Sequence, residues 1–174
     1  LYLPARHRDF CSRIYGSLGV KYQLAQSTDN RMEISVAQTK PAEEAEGEGG
    51  ALPRHTDMTY KNDDIQQSLE IRIHQVGRDL GERMQELHSL YPLKGKQTAG
   101  VFLNCNDSGA VGAFERLEEM GYFFTGLKPL CSNREYLIMH HPGEVEIYFD
   151  DYQATEEFRL LIQYINVEYQ KRKS

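Results

Sequence analysis

Long apolar runs, clustered basic charge and a cysteine framework are all missing from this chain of 174 residues, and each absence removes a class of function. No stretch approaches the roughly 20 apolar residues that a membrane-spanning helix needs. Acidic residues outnumber basic ones by 26 to 20, which argues against nucleic acid as a partner, because that affinity rests on grouped Lys and Arg. The one basic group, Lys171-Arg172-Lys173, reads as a solvated helix end that suits the helix dipole. Cys11, Cys105 and Cys131 are too few and too scattered for a metal knuckle or a disulfide scaffold, which implies a reducing, cytoplasmic setting. His140 and His141 are adjacent in a strand-like segment and point to opposite faces, so they do not chelate one ion, and no metal site is expected. The opening Leu1-Tyr2-Leu3 has neither a methionine nor a signal pattern. We read the chain as the C-terminal part of a longer protein.

What is present suits one domain over residues 1–174 with a substantial core. Pro4 suits a helix start, Phe10, Ile14 and Leu18 recur at helical spacing, and Gly19 closes the helix. Residues 22–27 and 31–38 read as strands joined by a turn at Thr28-Asp29-Asn30, with Met32, Ile34 and Val36 on one face. Residues 39–54, rich in Glu and Gly, read as a mobile acidic loop rather than a binding site. Residues 55–66 are polar and give no clear period. From Ser68 to near Val76, Leu69, Ile71 and Ile73 alternate with Glu70, Arg72 and His74, which predicts a half-buried strand. A helix follows with Leu80, Met84, Leu87 and Tyr91 as its stripe, stopped by Pro92. Residues 101–103 form a buried strand that ends near a buried Cys105. The next helix turns Val111, Phe114 and Leu117 inward. Strands follow at 122–127 and 135–139, with Cys131-Ser132-Asn133 as the turn, and a short one at 145–149. A last helix occupies 154–173, with Thr155 as N-cap and Phe158, Leu161, Ile162 and Ile165 as its buried stripe. Helical connections imply parallel crossovers and hairpins imply antiparallel pairs, so the fold class is α/β: a mixed central sheet with helices on both faces. Tyr15-Gly16-Ser17-Leu18-Gly19-Val20 echoes the segment Leu117 to Tyr122, which we read as two helix ends of one kind.

The order is a strand running into Gly77-Arg78-Asp79-Leu80-Gly81-Glu82 and a helix, then a strand, a helix ending in Leu117-Glu118-Glu119-Met120-Gly121-Tyr122, and the strand Phe123-Phe124-Thr125-Gly126-Leu127. It resembles the acyl-CoA-binding half of the GNAT N-acetyltransferase fold. The resemblance implies acetyl-CoA or another acyl-CoA as cofactor, with its pyrophosphate on the helix-start amides of an Arg-x-x-Gly turn, Arg78 to Gly81. It implies a pantetheine arm along the backbone of Ile73, Gln75 and Val76, and a cofactor seat that includes Arg78, Gly81, Glu82 and Arg83. Arg83 stands where the family pattern has Gly or Ala, and its side chain either crowds the phosphates or lies outward and pairs with them. Asp79 and Glu82 put negative charge beside the seat, or serve as ordinary first-turn acids. Leu117 stands where the family places a tyrosine as general acid, so no catalytic residue is assigned. Glu33, Glu70 and His74 lie on strands where a general base is needed. Tyr15 and Tyr122 are spare phenols.

A narrower resemblance rests on Gly121-Tyr122-Phe123-Phe124-Thr125-Gly126-Leu127-Lys128-Pro129, Glu135-Tyr136-Leu137-Ile138-Met139, Phe149-Asp150-Asp151-Tyr152, Leu160-Leu161, Tyr164-Ile165, and the opening Tyr2-Leu3-Pro4 with Ile14-Tyr15 and Leu18-Gly19. These are similar to acetyltransferase-like domains joined to bacterial ATPases of the anti-sigma-factor type. Two functional classes therefore stand: an acyl-CoA-dependent transferase acting on an amine of a small molecule or protein, and a non-catalytic ligand- or protein-binding module of a signalling ATPase, fused or associated.

Overall fold

The computed structural model describes residues 1–20, 22–27, 32–36, 51–131 and 134–173. In chain order the elements are β1 (Tyr2–Leu3), α1 (Arg8–Ser17), β2 (Tyr22–Ser27), β3 (Met32–Val36), β4 (Asp57–Asp63) and β5 (Ser68–Gln75). There follow α2 (Leu80–Leu90), β6 (Thr98–Asn104), α3 (Ala110–Glu119), β7 (Phe123–Cys131), β8 (Arg134–His141) and α4 (Glu156–Lys173). Short 3-10 turns sit at Ala5–His7 and Phe149–Asp151. The strand expected at 145–149 does not form: residues 145–148 have no regular structure, and the second 3-10 turn begins at Phe149. No helix among the described residues is long and apolar enough to cross a membrane.

The fold is α/β, built on a five-stranded mixed sheet in the order β4-β5-β6-β8-β7, with a small sheet β1-β3-β2 beside it. Parallel pairing joins β5 and β6, while β4–β5, β6–β8 and β7–β8 are antiparallel. One face of the large sheet is apolar in register across four strands. Ile71 pairs with Val101 and Val101 with Met139, while Ile73 pairs with Leu103 and Leu103 with Leu137. Phe124 and Leu127 complete this layer opposite Met139 and Leu137. Leu80, Met84 and Leu87 of α2, Phe114 and Leu117 of α3, and Phe10, Cys11 and Tyr15 of α1 belong to the same buried cluster.

That one-sidedness follows from topology. The steps from β5 to β6 and from β6 to β7 move the same way across the sheet, and right-handed crossovers then put both helices on one face. On the opposite face α4 packs at the β7 edge, where Tyr169 lies against Phe123. Elsewhere that face mixes Glu70, Arg72 and His74 with Phe102 and Ile138, all half-buried, and Arg72 and Lys128 lie over the Phe102 ring.

The two helix ends that echo each other in sequence are closed identically. Gly19 and Gly121 have φ of 65° and 88°, a region open to glycine at little cost. The following amides, Val20 and Tyr122, donate to the carbonyls of Tyr15 and Leu117. Such closure satisfies carbonyls that the last helical turn leaves unpaired.

Several expectations are corrected. β4 lies within the stretch 55–66 that has no clear period, because it is an edge strand exposed on both sides. β6 runs from Thr98, so its register is longer than the apolar residues 101–103 suggest. Cys131 closes β7 rather than sitting in a turn. Phe158 is 63% exposed, and Tyr169 takes the buried place instead. Arg172 is not merely solvated, since its Nε donates to the Gly121 carbonyl at 2.6 Å. The turn at 28–30, the loop at 39–50 and the side chains of β2 and β3 lie outside the described residues.

His7 is wholly buried, with its ring stacked on Phe124. Burial, aided by the Arg6 and Lys171 charges, lowers its pKa to about 3. Burial likewise lowers His141 to about 4. Unfolded, each binds a proton near pH 6.5. The unfolded state thus holds more protons between those limits, and stability that is complete above about pH 6.5 drains away on acidification toward pH 3. The urea midpoint is expected to fall steadily from about pH 7 to pH 4.5; a flat midpoint over that range contradicts this.

Candidate functional site

The parallel pairing of β5 and β6 ends at Ile73 and Leu103, and beyond it the strands part. Backbone groups on the inner edge of β5 then need other partners, because buried amides and carbonyls rarely go unpaired. The chain supplies them from its own side chains. Asn104 Nδ2 donates to the His74 carbonyl at 2.8 Å. The Val76 amide donates to Asp107 Oδ2 at 3.1 Å, and the Gly109 amide to Asp107 Oδ1 at 2.7 Å. α3 begins so close to β5 that a Cβ on Gly109 would lie 2.9 Å from Val76 Cβ. The gap between the parted strands is filled.

The turn into α2 is tied down from the other side. Gly77 donates to Thr56 Oγ1 at 3.0 Å, and Arg78 donates its amide to the Pro53 carbonyl at 2.9 Å. Asp79 stands at the N-cap of α2 without capping it. Its carboxylate accepts from the Thr56 amide at 2.7 Å and bonds His55 Nδ1 at 3.0 Å. Burial alone would raise the Asp79 pKa, but the bonds to Thr56 and His55 hold it at about 2. Asp79 is thus neither a phosphate neighbour nor a plain first-turn acid; it fastens residues 55 and 56 onto the turn. Gly77 permits that approach, since a Cβ there would lie 2.3 Å from the His55 backbone carbon.

Between the starts of α2 and α3 lies a cleft of about 390 Å³. Val76, Gly77, Arg78 and Leu80 line it from one side, and Ser108, Gly109, Gly112, Ala113 and Arg116 from the other. Leu52 reaches in as well, so the end of the stretch read as an acidic loop contributes to the site after all. Arg78 and Arg116 border a floor of small residues. Fixed positive charge of this kind suits an anion.

Of the residues expected to hold a cofactor, Val76 and Arg78 line this cleft, whereas Ile73, Gln75, Gly81, Glu82 and Arg83 do not. Ile73 is wholly buried in the core. Gln75 is exposed at the strand end, opposite Asp57. Glu82 and Arg83 face solvent, so Arg83 neither crowds the cleft nor enters it. Gly81 lies behind Arg116, whose Cδ and Nη1 would be 3.6 Å from a Cβ at that position. Sequence spacing does not reveal Arg116, because it comes from the other helix, 35 residues beyond Gly81 in number (116 minus 81).

Candidate acids and bases are engaged elsewhere. Leu117 is wholly buried. The Tyr122 hydroxyl bonds His88 Nε2 at 2.8 Å, and burial raises its pKa. Tyr15 donates to Glu135 Oε2, also buried. Glu70 pairs with Arg72 at 2.8 Å. His74 Nε2 bonds Thr59 Oγ1 at 3.1 Å. The Glu33 side chain is outside the described residues.

Two glycine substitutions separate the roles of this turn. Gly77→Ala is expected to destabilise the fold by about 1–3 kcal/mol, because the new methyl meets rigid backbone. Gly81→Ala has room, and is expected to be neutral or to stabilise by up to about 1 kcal/mol through helix propensity. Denaturant midpoints of the two variants check the contrast.

Searches against family models, curated proteins and solved structures return no match to this chain.

Proposed function

We propose that this chain is a GNAT-like domain that binds a phosphate-bearing ligand in the cleft between α2 and α3 and does not transfer an acyl group. The order of elements supports the fold assignment: two parallel strands that part, each followed by a helix, then an antiparallel pair. One observation carries the functional reading. The His74 carbonyl and the Val76 amide, which a pantetheine arm would need, are already bonded by Asn104 and Asp107. Insertion of an arm must break both bonds. At the phosphate end the turn amides of Gly77, Arg78 and Gly109 are also bonded within the chain, and the binding reading there rests on Arg78 and Arg116, which line the cleft.

Chemistry points the same way. Acyl transfer needs a proton donor for the departing thiolate and an acceptor for the amine proton. Leu117 cannot donate, and the Tyr15 and Tyr122 phenols are bonded to Glu135 and His88 within the fold. The ligand class that fits is a nucleotide diphosphate of the kind that forms the head of CoA. In the setting that the narrower resemblance suggests, such binding would report ligand level to a bacterial signalling ATPase.

Calorimetric titration with ADP, CoA, acetyl-CoA and pantetheine tests this reading. ADP and CoA are expected to bind within a few-fold of each other, and pantetheine not at all. Arg116→Ala is expected to weaken both nucleotides about tenfold or more, the worth of one charge-assisted hydrogen bond. Acetyl-CoA binding far more tightly than ADP, or any acetylated amine product above background, contradicts the proposal.

A further inference from the structure

Away from the cleft, three segments distant in sequence bring one imidazole and two carboxylates together. His7 ends the Ala5–His7 turn, Glu118 lies in the last turn of α3, and Glu168 belongs to α4. One ligand atom from each lies within 4.8 Å of the others. His7 is wholly buried and Glu168 is 5% exposed, so this is not a chance group of surface acids.

The hydrogen bonds fix which histidine nitrogen is free to coordinate. His7 Nδ1 lies 2.7 Å from the Tyr164 hydroxyl, which itself donates to the Arg6 carbonyl at 3.3 Å. The hydroxyl therefore accepts from Nδ1–H, and Nε2 keeps its lone pair. That lone pair now receives Arg6 Nε at 3.2 Å. A ring held by one nitrogen while the other presents its lone pair is how metal-binding histidines are oriented.

Charge balance completes the argument. Arg6 pairs with Glu118, and Lys171 Nζ pairs with Glu168 at 2.6 Å. These cationic side chains are 47% and 63% exposed, so both can swing into water. A divalent ion replaces their two charges with no net change. We propose that His7, Glu118 and Glu168 form a binding site for a divalent transition-metal ion of the Zn²⁺ kind, displacing Arg6 and Lys171. Imidazole nitrogen with carboxylate oxygen suits such an ion, whereas Mg²⁺ favours oxygen ligands and water. Bound there, the ion ties the N-terminal turn to α3 and α4.

The test titrates the whole chain with Zn²⁺, and separately with Mg²⁺, in metal-depleted buffer. One equivalent of Zn²⁺ is expected to bind and to raise the melting temperature by linkage, while Mg²⁺ leaves it unchanged. His7 is part of the core, so the decisive variants are Glu168→Gln and Arg6→Ala, each first checked for native circular dichroism. Glu168→Gln is expected to weaken Zn²⁺ binding at least about tenfold. Arg6→Ala is expected to tighten it several-fold, because a competitor has been removed. Unchanged affinity in Glu168→Gln overturns the site, as the ion then sits elsewhere. So does absence of binding to both the unaltered chain and Arg6→Ala at about 1 mM Zn²⁺, a concentration that half-fills even a weak site with a dissociation constant of about 1 mM.

Discussion

Parallel strands that part leave hydrogen-bonding groups behind, and how the chain satisfies them governs the site. At the inner edge of β5 these groups are the His74 carbonyl and the Val76 amide. Asn104 takes the first and Asp107 the second. Both residues follow directly from the divergence, Asn104 as the last residue of β6 and Asp107 in the link to α3. Because Asp107 also accepts from the Gly109 amide, the same carboxylate fixes where α3 begins. The cleft lies just beyond this plug, so its floor and its two arginines depend on it.

A second constraint lies under the cleft and comes from the crossover rule. With α1, α2 and α3 packed on one face, the core forms between that helical layer and a single apolar sheet surface. Glycine-closed ends on α1 and α3 let the chain leave each helix sharply while its last carbonyls stay satisfied. Tyr15 and Leu117, each four places before its closing glycine, are both wholly buried. This is why Leu117 serves packing: its position is drawn into the core by the closure of its own helix.

Much of this was legible in the sequence. Alternation at Leu69, Ile71 and Ile73 predicts β5, and the stripe Leu80, Met84 and Leu87 predicts α2, because burial on one face imposes a period. The shared helix ending at Gly19 and Gly121 was readable too, since a left-handed cap favours glycine. β4 was not, because an edge strand with both faces exposed carries no period. Of the residues lining the cleft, Arg78 and Val76 are among those that the family resemblance implies. Arg116 and the clamp of Pro53, Thr56 and Asp79 could not be found, because they meet only once α2, α3 and the chain before β4 have packed. A pattern along one helix gives no information on which side chain of a neighbour overlies it. The same limit hides the grouping of His7, Glu118 and Glu168, drawn from three separate segments.

The central claim, that the chain fills its own inter-strand gap, is most directly tested by amide hydrogen exchange at Val76, read by nuclear magnetic resonance in the unaltered chain and in Asp107→Ala. The account predicts a protected Val76 amide that loses its protection in the variant while Ile71 and Val101 keep theirs. A Val76 amide that exchanges freely in the unaltered chain, or stays protected without the Asp107 carboxylate, would contradict it.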